Sequence, residues 1–231
     1  MRSGLNFRGF FQYGVWRAAG KAALAAILWL GLAVAAAAEK VHLIAFGDSL
    51  TAGYGLMDDE GFVPVLRDWM AAQGEDVRIV QAGVSGETTA GGLARLDWAL
   101  TDELQGIVLE LGANDMLRGI DPGVARANLR AMLEICRDRG LEVLLVGTPV
   151  AANFGAGYKA EFEAIWPDLA GEFGVALYPD FFAALGDDPV AALDFMQGDG
   201  IHPDAEGVRR IVDGIGPEVR ALVARIRAGG A

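Results

Sequence analysis

The chain has 231 residues and a formal net charge of −12 at pH 7. Setting aside residues 1–38, which hold four cations and no acid, leaves 15 basic against 31 acidic residues, a net charge of −16 for residues 39–231. So acidic a surface excludes nucleic acid and anionic membrane as partners, and the single cysteine, Cys136, excludes an intrachain disulfide and a thiolate metal cluster.

Residues 1–38 read as a secretory signal peptide. Arg2, Arg8, Arg17 and Lys21 form the basic start, an apolar run of 17 residues follows from Ala22 to Ala38, and Ala36-Ala37-Ala38 is a small-residue end before Glu39. The rival reading is an uncleaved membrane anchor, since such a run is at the short edge of a bilayer span. Cleavage near Ala38 is the expectation. It implies export, to the periplasm or outside the cell, and no stable membrane partner afterwards. Residues 39–231 are then one domain with a full-sized core.

Val41 to Phe46 is a buried strand, apolar apart from His42. It stops at Gly47-Asp48-Ser49, and Thr51, Gly53 and Gly55 follow where the chain must bend. A helix is expected over 61–74, with Val63, Leu66, Trp69 and Met70 on one face. Val77 to Ala82 is a second strand, ending in Gly83-Val-Ser-Gly86. A helix over about 89–104 follows, with Leu93, Leu96, Trp98 and Leu100 as apolar positions. Gln105 to Leu111 is a third strand, ending in Gly112-Ala-Asn114-Asp115. Pro122 opens a helix to about Arg139, which places Cys136 among its apolar positions. Leu141 to Val146 is the fourth strand. Ala151 to Tyr158 is a loop, and a helix over 159–173 has Pro167 as a candidate interruption. Val175 to Tyr178 is the fifth strand, and 181–198 is irregular or briefly helical. Asp199 to Pro203 is a turn before a final helix over 205–227, where Pro217 is a candidate kink. Five alternations of strand and helix predict a parallel sheet with helices on both faces.

The turns after the first three strands lie along one sheet edge, where open α/β sheets build their sites. Ser49 is a candidate nucleophile there. The backbone N–H of Gly86 and the side-chain amide of Asn114 are candidate donors to the oxyanion that forms when a nucleophile attacks an acyl carbonyl. The plain alternatives stay open: Asp48 or Ser49 caps the next helix, Gly86 fits a tight turn, and Asn114 is a turn or cap residue. A serine needs a base, and there are two histidines. His42 starts the first strand, about 13 Å from its carboxyl end at strand rise. His202 follows a turn, and Asp199 three residues earlier can reach its Nδ1 and fix the tautomer. The alternative there is a surface turn capped by Asp199.

Gly47-Asp48-Ser49-Leu50, Gly86, Gly112-Ala113-Asn114-Asp115 and Asp199-Gly-Ile-His202 resemble the four sequence blocks of the SGNH (GDSL) hydrolases. The resemblance is closest to bacterial periplasmic thioesterases, lysophospholipases and arylesterases, and covers residues 41–228. It implies a flavodoxin-like three-layer α/β sandwich with a five-stranded parallel sheet in the order 2-1-3-4-5. It further implies Ser49 as nucleophile, His202 as base, Asp199 as its orienter, and an oxyanion hole of the Ser49 N–H, the Gly86 N–H and the Asn114 amide. No metal or organic cofactor is implied. Ala113 departs from the second glycine usual in its block, and Gln81 stands where relatives often carry Asn. Both are candidates for altering acyl preference.

The function expected is a serine esterase acting on small-molecule or lipid-derived esters, with thioesters as a further substrate class. Removal of acetyl groups from a carbohydrate is the alternative within the fold. A flavodoxin-like binder of phosphate or nucleotide is a third reading, which the acidic surface and the absence of a phosphate-binding glycine motif oppose. The loop 151–158, with Met116 and Leu117, suggests a lipophilic acyl group.

Overall fold

Five strands build one parallel sheet, and in its inner strands the reason is visible in which way alternate residues point. Leu43 and Ala45 face one core cluster while Ile44 and Phe46 face another, and Val108, Leu144 and Val146 oppose Ile107, Leu109 and Leu145 in the same way. Both faces are covered, so these strands carry no polar alternation. The computed structural model describes residues 40–149 and 154–229. The expected signal peptide, residues 1–38, lies outside the described residues, as do residues 151–153 of the expected loop.

In chain order the elements are β1 (Val41–Gly47), α1 (Ser49–Ala52), α2 (Phe62–Ala72), β2 (Val77–Gly83), α3 (Thr89–Ala99), β3 (Gly106–Glu110), α4 (Ala113–Leu117), α5 (Pro122–Asp138), β4 (Glu142–Val146), α6 (Ala156–Glu163), α7 (Ile165–Phe173), β5 (Ala176–Tyr178), α8 (Pro189–Ala192) and α9 (Ala205–Gly229). Short 3₁₀ turns at Ala183–Leu185 and Leu193–Phe195 flank α8. The strand order is β2-β1-β3-β4-β5, all parallel. Helices α2 and α9 pack together over one face, and α3, α5 and α7 cover the other. The chain changes direction across the sheet at β1 and β3, which makes the gap beyond their carboxyl ends the place for a ligand. Gly47 pairs with both Gly83 and Glu110, so three strands end level and their turns emerge side by side.

Four expectations need correction. The helix after β2 ends at Ala99 rather than about 104: Leu100 is extended, and it and Leu104 are buried from a loop. Trp98, expected on the apolar face of this helix, is 89% exposed. The helix expected over 159–173 begins at Ala156 and breaks at Ala164, not at Pro167. Pro167 sits in the first turn of α7, where its missing N–H would have had no intrahelical partner. The final helix runs unbroken through Pro217 to Gly229.

Candidate active site

The turn after β1 is held from below. Asp48 is the N-cap of α1, and its Oδ1 accepts the Leu50 N–H at 3.0 Å. The capping alternative and the placement of the candidate nucleophile are thus one arrangement: Asp48 starts the helix that makes Ser49 its first residue. A Cβ on Gly47 would lie 2.5 Å from the Glu110 carbonyl oxygen and 2.1 Å from Thr51 Oγ1, so only glycine lets β1 end this close to its neighbours. Below the turn, Thr51 Oγ1 donates to Glu110 Oε2 at 2.9 Å, with both side chains buried. Burial, helped by the neighbouring Asp48 carboxyl, pushes Glu110 well above the usual carboxylate range. Burial likewise pushes Asp48 up to about 6 against the hydrogen bonds that it accepts.

The partner for Ser49 arrives from the other end of the chain. Asp199 Oδ1 accepts the N–H groups of Ile201 at 2.9 Å and His202 at 3.0 Å, which folds the turn back on itself. Its Oδ2 then stands 2.7 Å from His202 Nδ1, and His202 Nε2 stands 2.9 Å from Ser49 Oγ. These bonds, the one with the imidazole first, hold Asp199 down to about 2, so it is ionised at any working pH. The Tyr54 ring lies 4.6 Å from the imidazole, centroid to centroid. Gln197 braces this corner: its Nε2 donates to the carbonyls of Tyr54 at 2.8 Å and Pro203 at 2.9 Å. His42 is at the opposite end of the sheet, 3.6 Å from Glu103.

Gly86 has φ +80°, in the left-handed region that glycine enters without strain. Asn114 lies in the first turn of α4, and its Nδ2 donates to Asp48 Oδ2 at 3.0 Å. The structure therefore brings Ser49, Gly86 and Asn114 to one cleft with His202. Ala113 is the first residue of α4 and lines the same cleft. Gln81 is exposed on β2.

Several bracing residues were not singled out by sequence reasoning. Buried Asp115 accepts the Thr89 N–H at 2.7 Å and the Thr89 hydroxyl at 2.6 Å, which ties the turn after β3 to the start of α3. Arg118 donates to the Gly86 carbonyl at 2.6 Å and orients that peptide. Arg95 donates to the carbonyls of Ala82 at 2.9 Å and Gly47 at 3.2 Å, bridging the turns after β1 and β2. Asp115 sits in a motif that could have prompted the question. The arginines bond to backbone carbonyls, which leave no mark in a sequence.

The cleft holds about 830 Å³ and is mostly apolar. Met116 and Leu117 line it, as expected. Phe154 instead stacks on Tyr158, and Tyr158 on Phe162, beside the second core cluster, and Tyr158 Oη donates to the Ile120 carbonyl at 2.9 Å. About half of the apolar lining comes from the 181–198 segment, through residues such as Phe182, Leu185 and Met196.

A model of the GDSL-like lipase/acylhydrolase family matches residues 45–210, a span that contains all five of the expected site residues. The chain belongs to this family. It is similar to esterase TesA of Pseudomonas aeruginosa, 37% identical over 182 residues, which are 78% of this chain and 89% of that protein. It is also similar to an arylesterase of Vibrio mimicus, 35% identical over 197 residues, 85% of this chain and 96% of that one. Among solved structures, AlinE4, described as an SGNH-hydrolase family esterase, superposes with a TM-score of 0.66 at 40% identity, covering 79% of this chain and 96% of that chain. The family resemblance of the four blocks and the strand order that it implied are both borne out.

Proposed function

We propose that this chain hydrolyses carboxylic esters through an acyl-enzyme on Ser49. As a member of this acylhydrolase family, with relatives named esterase and arylesterase, it is a serine carboxylic ester hydrolase. In the proposed cycle His202 Nε2 takes the Ser49 proton as Oγ attacks the ester carbonyl. Asp199 holds the imidazole in the tautomer with Nδ1–H and stabilises the imidazolium. The oxyanion is received by the N–H groups of Ser49 and Gly86 and by the Asn114 amide, fixed donors that need no reorganisation. The imidazolium then gives its proton to the departing alcohol. Water repeats the sequence on the acyl-enzyme and releases the acid. Thioesters follow the same course with a thiolate leaving.

The observation that supports this reading is the unbroken line from Asp199 Oδ2 to His202 Nδ1 at 2.7 Å and from His202 Nε2 to Ser49 Oγ at 2.9 Å. The apolar cleft favours lipophilic substrates over an acetylated sugar. The buried Asp48 and Glu110 carboxyls under the nucleophile turn oppose a phosphate there. Residues 1–38 are proposed as a cleaved signal peptide, which makes the enzyme periplasmic or secreted; the amino-terminal sequence of the protein recovered from cells tests this.

The decisive experiment pairs hydrolysis of p-nitrophenyl butyrate with labelling by a fluorophosphonate, read by intact mass. One label per chain is expected, with none on Ser49→Ala, and the variant should lose about a thousandfold or more of kcat. Labelling of the variant, or a rate within tenfold of the parent, would refute the assignment.

A further inference from the structure

The wall of the cleft that is built from residues 182–196 stands on the same side of the sheet as the base. Leu50 and Leu185 belong to the core cluster that α9 fills, and Phe182, Phe195 and Met196 pack against it. Met116, on the side of Asn114, belongs to the opposite cluster. The wall is also tied directly to the histidine turn. Met196 pairs with Pro203, the Gln197 N–H donates to the His202 carbonyl at 2.8 Å, and the Asp204 N–H donates to the Phe195 carbonyl at 2.9 Å. Leu193 and Ile201 continue this apolar surface to the mouth of the cleft, 55% and 44% exposed.

The chemistry of the proposed reaction assigns a direction to that wall. In the tetrahedral intermediate the carbonyl carbon carries Ser49 Oγ, the oxyanion, the acyl substituent and the alcohol oxygen. The oxyanion faces Gly86 and Asn114. The alcohol oxygen must lie against His202 Nε2, because collapse breaks the carbon–oxygen bond and that oxygen keeps the electron pair while it takes the imidazolium proton. Whatever is attached to the alcohol oxygen therefore extends along the His202 side.

We propose that Phe182, Leu185, Leu193 and Met196 form the alcohol-side subsite, and that the preferred substrates are esters whose alcohol part is an extended apolar group. This rests on the serine esterase reading above. The segment that grips the leaving alcohol is the one that braces the base, so selection and proton delivery share one rigid corner. Contacts of this kind act away from the reacting bond and raise kcat/KM.

The test uses two ester series on the full chain. One keeps acetate and lengthens the alcohol from methyl through propyl and butyl to hexyl, which holds the basicity of the leaving group nearly constant. The other keeps methanol and lengthens the acid from acetate to hexanoate. In the alcohol series kcat/KM should rise about fourfold per methylene while the chain still finds apolar wall. Leu193→Ser and Phe182→Ala should each flatten that rise, and Leu193→Met should restore it. An alcohol series rising less than twofold per methylene, or a slope that both polar and truncating variants leave untouched, overturns the inference, and the esterase reading stands if the acid series is hydrolysed. Failure of every ester in both series would instead overturn the esterase reading itself.

Discussion

Asn114→Ala should separate the chemistry of the site from the stability of the turn that carries it. The amide has two N–H bonds, and one of them is given to Asp48 Oδ2 at 3.0 Å. In the proposed cycle the amide also receives the oxyanion, and losing one such donor typically costs about 2.7–4 kcal/mol, or about 10²–10³ in kcat. The ground-state cost is different. Asp48 is fully buried and would keep only the Leu50 N–H from its two neutralising contacts, at a penalty of about 1–3 kcal/mol for the group left short. For a domain of this size that corresponds to a Tm lowered by about 2–12 °C. Steady-state kinetics on p-nitrophenyl butyrate, run well below the variant's Tm and beside urea denaturation, reads both. The expected result is a kcat lower by two to three decades with little change in KM. A kcat within tenfold of the parent, in a variant still folded at the assay temperature, would refute the role given to the amide.

Two further outcomes are expected. Gly47→Ala forces a methyl against the Glu110 carbonyl oxygen and Thr51 Oγ1, and should cost about 2–5 kcal/mol in urea unfolding as Thr51 turns away from Glu110; Gly171→Ala, exposed in α7 with nothing within 4 Å of the new Cβ, should instead stabilise by about 0.4–1 kcal/mol, and equal effects at the two sites would contradict the packing argument. Stability should also fall from mildly acid to alkaline pH: Asp48 binds its proton more tightly in the folded chain, up to about 6 from 3.8, so its contribution is whole below pH 3.8 and about 3 kcal/mol of it is gone once the pH passes 6. Glu110 shifts in the same direction, so in Glu110→Gln the urea midpoints at pH 5 and pH 8 should draw closer together, and an unchanged gap would argue against this source.

The inner strands β1, β3 and β4 were legible because a sheet covered on both faces demands apolar runs there, and each of those runs stops at or just before a glycine turn. The site's main side chains were legible because Ser49 and Asn114 follow directly on the ends of β1 and β3, and Asp199 and His202 share the short turn that precedes the final helix. What escaped has a common physical cause. Leu100 and Leu104 kept helical spacing, but burial was satisfied by a loop, so the period overstated α3. Glu110 looked like part of a buried strand, and its partner Thr51 is 59 positions away. Thr89 and Asp115 are 26 positions apart. The apolar wall from Phe182 to Met196 has no regular period, because its residues are set by two short turns and a four-residue helix rather than by one long element.

The 153 positions between Ser49 and His202 have a consequence for a chain made from its amino terminus. In the proposed mechanism Ser49 is synthesised early and stays inert, since a serine hydroxyl without its base is an ordinary alcohol. The base comes late, on a turn whose following helix must first settle across the sheet. Under the proposed mechanism, hydrolysis waits until the last helix has packed and brought His202 to Ser49. In that mechanism a chain cut short before His202 holds the serine without its base and should show no esterase activity.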